Sequence, residues 1–177
     1  DRPNLYFDVV KLETKYKAAW VARYVADHPD ESGIVYCATR KTTEALTDTL
    51  NQMGHPAVAY HGGMSPDARE AAQRDFITDK VPVVVATNAF GMGIDKPNVR
   101  FVIHYNMPKD LESYYQEAGR AGRDGEPARC TLLYSGTDVR TIRFFIDKEM
   151  EADNGLPADV KAEAARKAEE RLKYMTF

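Results

Sequence analysis

Residues 81–105 read VPVVVATNAFGMGIDKPNVRFVIHY, two continuous apolar runs joined by a loop that contains glycine. The first run, 81–87, is the strongest strand signal in the chain, and Pro82 is tolerable there only near the start, since proline cannot donate to a sheet ladder. The second, 99–105, is again apolar along its length. Such runs, lacking the alternation of a half-exposed strand, belong to parallel strands covered on both faces.

Outward from this pair, residues 33–38, GIVYCA, repeat the signature, and strands are also expected at 5–12, 57–61 and 128–134. Between them apolar residues recur at helical spacing. Trp20, Val21, Tyr24 and Val25 mark one helix behind an N-cap at Thr14, and Ala45, Leu46, Thr49, Leu50 and Met53 mark another that Gly54 ends. Ser65 and Pro66 suit the cap and first turn of a helix reaching about Thr78, and Asp110 can cap one with Leu111, Tyr114, Tyr115 and Ala118 inside. Strand and helix alternating over short connections predict an α/β domain with a mostly parallel sheet flanked by helices. DRPN, residues 1–4, reads as a leading linker. Beyond Ser135 two helical stripes, Val139 to Met150 and Val160 to Met175, predict a C-terminal helical arm.

The 177 residues suffice for one well-buried domain with an appendage. Hydrophobic residues make up 44% and charged residues 29%, a soluble, folded composition. No run approaches the ~20 residues of a membrane span and no signal peptide opens the chain, so a cytoplasmic location and no membrane partner are expected. Cys37 and Cys130 fall in separate apolar runs and read as buried thiols. A net charge of −3 argues against a purely electrostatic nucleic-acid coat, yet local amides and a few cations can still hold phosphates.

The polar clusters all follow strands, or lie on the helix after one, and are expected along one edge of the sheet, where ligands of open α/β folds collect. Thr39, Arg40 and the residues up to Thr43 offer an anion site at a helix start, or simply a capped helix. His61 beside Gly62 and Gly63 reads as a packed or hydrogen-bonding histidine. In the loop after Thr87, Gly91 and Gly93 fail as a dinucleotide fingerprint because Lys96 stands at the third glycine position. That loop can instead hold a phosphate through Thr87 and free amides, with Asp95 accepting from a ribose hydroxyl or an arginine, or merely capping. Lys80, Lys96 and Lys109 read as solvated. Finally, SYYQEAGRAGRDG, residues 113–125, places Arg120 and Arg123 three apart, each behind a glycine, with Gln116 four residues before the first. On a helical turn both guanidinium groups share one face. No GxxxxGK phosphate loop and no acidic DExx box occurs, so two arginines aimed at a phosphate describe half of a site.

Together, SGIVYCATRKTTEAL, the 83–105 stretch and SYYQEAGRAGRDG resemble motifs IV, V and VI of the RecQ family of superfamily-two DNA helicases, and DRPN and HGGM also fit. The resemblance covers about residues 1–137 and implies the second, RecA-like three-layer lobe of such an enzyme. It implies Arg123 as the arginine finger on the γ-phosphate of ATP, Arg120 as its partner, and Gln116 as a polar positioner. Gly93 and Asp95 would lie on the nucleotide side, while Thr39, Arg40, His61, Gly62 and Thr87 would hold single-stranded DNA phosphates. ATP and Mg2+ are implied for the full-length enzyme, held mainly by a first RecA-like lobe. This stretch alone is expected to be inactive, with both arginines exposed. Residues 138–177 resemble the start of the family's zinc-binding subdomain without its cysteines, so any zinc is left to the parent and none is expected in this stretch. The implied activity is 3′ to 5′ DNA unwinding by a monomer, nucleoid-associated in a bacterium or nuclear in a eukaryote. A DEAD-box RNA helicase lobe and a non-catalytic nucleic-acid-binding module are the alternatives; the former typically has His-Arg where Tyr115 and Gln116 stand.

Overall fold

The computed structural model describes residues 2–88, 95–136 and 146–147. Strands β1 (Leu5–Lys11), β2 (Ser32–Tyr36), β3 (Ala57–Tyr60), β4 (Val83–Ala86), β5 (Val99–His104) and β6 (Ala128–Tyr134) form one sheet in the order β1-β6-β5-β2-β4-β3. Every adjacent pair is parallel, as the unbroken apolar runs require. Helices α1 (Thr14–Asp27), α2 (Arg40–Gln52), α3 (Pro66–Ile77) and α4 (Leu111–Ala118) supply the crossovers.

The helices divide between the faces, giving three layers. Val21, Val25, Leu46 and Leu50 of α1 and α2 pack on Val35, Val85 and Ile103. Phe76 of α3 and Ala118 of α4 pack on Ile34, Val84, Val102 and Cys130 across the sheet. Both cysteines are buried free thiols, and burial pushes each up to about 12. Gly33 is needed in β2 because a Cβ there would overlap the Phe101 ring, which lies edge-on to Tyr24 at 5.1 Å.

Helix starts follow from capping chemistry. Thr39 Oγ1, Ser65 Oγ and Asp110 Oδ1 accept from the N–H groups of Thr42, Ala68 and Ser113 at 3.1, 3.1 and 2.7 Å. Thr14 does not cap: α1 begins on it, and Glu13 holds the cap position without a side-chain bond. The buried stripe of α2 is also shifted, taking Thr43 and Thr47 with Leu46 and Leu50 while Met53 is exposed. Each threonine hydroxyl bonds the carbonyl four residues back, at 2.8 and 2.7 Å, which removes the cost of burying it. Gly93 and the expected arm at 138–177 lie outside the described residues, apart from 146–147.

Candidate functional site at the two ends of the sheet

At the carboxyl ends of the strands, successive loops are tied together. Cys37 N–H donates to Ala86 O at 2.8 Å, Thr87 N–H to Tyr60 O at 3.1 Å, and Ala38 N–H to Asn106 Oδ1 at 2.8 Å. Thr39 and Arg40, which open α2, therefore stand beside residues 61–63 after β3. The Arg40 guanidinium lies over both glycines: a Cβ at Gly62 would sit 3.2 Å from Nη2, and one at Gly63 would sit 3.1 Å from Nη1. His61 is buried. Its Nδ1 accepts from Gly63 N–H at 3.0 Å, so Nε2 carries the proton and donates to Glu44 Oε1 at 2.8 Å. With both nitrogens occupied, His61 shapes the glycine turn and leaves the outward-facing donors to Arg40 and the backbone. Thr87 is buried by its side chain at this same edge.

The arginine string lies elsewhere. Helix α4 ends at Ala118, and the chain continues in tight turns: Arg120 N–H and Ala121 N–H reach back three residues, at 3.2 and 3.0 Å. Gly122 has φ +58°, a left-handed conformation that glycine adopts without strain. Its N–H donates to Val99 O at 2.8 Å, and Asp124 N–H donates to Pro97 O at 3.1 Å, which fixes the turn at the amino end of β5. Arg120 and Arg123 therefore stand on a non-helical turn whose backbone is tied to the amino end of β5. Helix α4 runs antiparallel to the strands and carries the backbone of the turn back across the sheet, while the Arg120 side chain reaches Tyr36 at the carboxyl end of β2. Asp95 is exposed, two residues before Pro97, whose carbonyl anchors the turn.

The turn is held from several sides. Arg100 Nη2 donates to Asp124 Oδ1 at 2.6 Å, and that hydrogen bond holds the Asp124 carboxyl below the usual carboxylate range. Residues 2–4, read as a linker, instead reach across the chain. Arg2 donates to Gly119 O at 3.1 Å and to Ala121 O, and Asn4 Nδ2 donates to Gly122 O and Glu126 O at 2.8 and 2.9 Å. On the other side, Lys96 is buried rather than solvated: Nζ donates to Asp79 Oδ1 at 2.6 Å and lies 5.3 Å from the Phe76 ring centroid. That bond lowers the Asp79 carboxyl.

Arg123 is exposed, with its Nε 3.4 Å from Gly119 O, as expected. Arg120 is half-buried, contrary to expectation, because its side chain turns inward beside Tyr36. Burial, and next the Glu117 carboxylate, push the Tyr36 hydroxyl up, and the adjacent Arg120 guanidinium pulls the other way. The Glu117 carboxylate accepts from His104, its Oε1 lying 3.0 Å from His104 Nε2, and His104 stacks on Tyr36 at 5.4 Å. Gln116 is exposed on α4, 3.5 Å from Glu112 Oε1. Arg2, Asn4, Glu117 and His104 were not singled out by sequence, since only their long-range partners give them meaning.

The description "helicase conserved C-terminal domain" fits residues 16–125 by family model. The chain belongs to that family. It is also a RecQ-type lobe by similarity: 147 residues, 83% of the chain, are 50% identical to the ATP-dependent DNA helicase RecQ of Bacillus subtilis, covering 24% of that protein. A protein of Acanthamoeba polyphaga mimivirus named as an ATP-dependent RNA helicase is 41% identical over the whole chain and 31% of its own length. The chain thus spans a quarter to a third of these relatives. Among solved structures, the fold matches a chain in the crystal structure of the E. coli DEAD-box protein SrmB bound to the regulator of ribonuclease activity A. That match has a TM-score of 0.69 at 24% identity, over 79% of this chain and 81% of that one, and it shows the fold alone.

Proposed function

We propose that this RecQ-type lobe works as one half of an ATP-dependent DNA helicase, presenting Arg123 and Arg120 to ATP bound on a first RecA-like lobe. The observation that carries the reading is the braced turn at 119–124, on which Arg123 is exposed, its Nε 3.4 Å from Gly119 O. A guanidinium held on a braced turn and without an acidic partner among the described residues is suited to meet a phosphate, and an arginine supplied to a transferring phosphoryl group is worth ~10³ to 10⁵ in rate. Arg120 steadies the same charge from beside Tyr36, Gln116 positions polar groups between nucleotide and protein, and Asp95 and Gly93 serve the nucleotide side. At the carboxyl ends of the strands, Thr39, Arg40 and the 61–63 turn, with Thr87, grip phosphates of a single strand. Closure on ATP and release after hydrolysis then alternate the grip, with translocation 3′ to 5′.

Among the described residues no group of three or more His, Cys, Asp or Glu is placed to hold a metal ion. Mg2+ belongs in this scheme with the ATP on the other lobe, and zinc with a part of the parent beyond this stretch. Residues 1–137 form the lobe and 138–177 begin a helical subdomain. The enzyme acts as a monomer on DNA in the nucleoid or nucleus; among the described residues no helix is long and apolar enough to cross a membrane. The rival reading, an RNA helicase lobe, draws on the name of the mimivirus relative. ATP hydrolysis by the full-length enzyme, measured with added single-stranded DNA or RNA of the same length, separates the two. Stimulation by DNA alone is expected, and equal or greater stimulation by RNA would overturn the DNA assignment.

A further inference from the structure

The turn at 119–124 is short, contains two glycines and follows a helix of only eight residues, so its own sequence gives it little stiffness. Its order comes from elsewhere. Four carbonyls in and after the turn, those of Gly119, Ala121, Gly122 and Glu126, receive side-chain donors from Arg2 and Asn4, residues more than a hundred positions away. The fit is close on the other partner as well: a Cβ at Gly122 would lie 2.6 Å from Asn4 Nδ2. Both donors immediately precede β1, whose ladder with β6 begins at Leu5 and Ala128, just beyond the turn.

We propose that Arg2 and Asn4 are positioning residues for the arginine turn, a strut that sets where the Arg120 and Arg123 guanidinium groups point when they meet a phosphate. The inference rests on the phosphate-facing role assigned to Arg123. A guanidinium fork matched to two carbonyls fixes direction as well as distance, which a single-point contact does not. Because both arginines emerge between the bonded carbonyls, loss of the strut moves the catalytic charge without removing it. Such a change lowers the rate of the chemical step while sparing ground-state binding.

Two measurements test this. In the full-length enzyme, Arg2→Ala and Asn4→Ala are each expected to lower kcat for ATP hydrolysis ~10- to 100-fold, the scale of an ångström-size misplacement, with the KM for ATP and the affinity for single-stranded DNA little changed. Arg2→Lys, which keeps one donor where two carbonyls accept, falls between wild type and Arg2→Ala. In an Arg123→Ala background, Arg2→Ala costs less than it does in the wild type, because the part of the loss that passes through Arg123 is already taken. Unchanged kcat in Arg2→Ala, or a fully additive double variant, would overturn the proposal. Independently, hydrogen exchange of this chain is expected to speed up at 118–126 in Arg2→Ala while β2 and β4 stay protected. Equal acceleration through β2 and β4 would show that Arg2 serves the whole fold and would also overturn it. If Arg123→Ala itself keeps full activity, the phosphate reading of that arginine fails, and the exchange result alone decides whether the strut holds the turn.

Discussion

Lys96 illustrates how a residue's surroundings overrule its chemistry. A lysine in a glycine-containing loop invites a solvated reading, yet the Phe76 ring and the Asp79 carboxylate bury it, and it pins the start of β5 to the end of α3. No local pattern announces such a contact, since the partners are 17 residues apart. His61 was legible, because a histidine beside two glycines without a nucleophile or ligand set has little to do except hydrogen-bond. Gly33 offers a direct test of packing at this scale. Gly33→Ala forces a methyl group into the Phe101 ring and is expected to destabilise the lobe by about 1–3 kcal/mol, read as a lower denaturation midpoint with unchanged slope. An unchanged midpoint would mean that the ring moves aside freely. Cys37 and Cys130, both buried and held as thiols, should react with a disulfide reagent only as fast as the native chain opens, and rapid labelling of either would contradict their burial.

At the scale of elements, strands were the most legible feature and helix ends the least. Continuous apolar runs fix parallel strands because both faces are covered; the observed β4 and β5 fall within the expected runs, and β2 begins one residue ahead of its run, at Ser32. Caps at Thr39, Ser65 and Asp110 were read correctly from side chains that can accept a backbone proton; Thr14 was not, since a suitable side chain does not guarantee that it is used. The arginine string departs from helix because Gly119 and Gly122 allow the chain to turn, and the turn lies at the amino edge because α4 returns it there. Asp110 carries a pH-dependent prediction. Its bond from Ser113 N–H holds the carboxyl below its usual value, so its share of stability is present above the unfolded value, near 4, and is lost as pH falls through the folded value. Asp110→Ala should therefore lower the melting temperature by a few degrees at pH 7, and the gap from wild type should close as the solution is made more acidic than about pH 4. A gap that persists in acid would show that the carboxylate is not what caps α4.

For the whole molecule, the sequence disclosed the architecture and the family, because three motifs in order on alternating strands and helices admit few folds. It did not disclose that residues 2–4 brace the arginine turn, since this follows only once the sheet order β1-β6-β5 sets β1 beside β6. With few cations facing a strand on a protein of net charge −3, the isolated chain is expected to bind single-stranded DNA weakly and with steep salt dependence, and tight, salt-insensitive binding would contradict the edge assigned to Arg40 and the 61–63 turn. The most direct measurement of the central claim is ATP hydrolysis by the full-length enzyme carrying Arg123→Ala. The account predicts a loss of ~10³-fold or more in kcat with DNA affinity within a few-fold of wild type. Retained hydrolysis would show that Arg123 does not act on the phosphate.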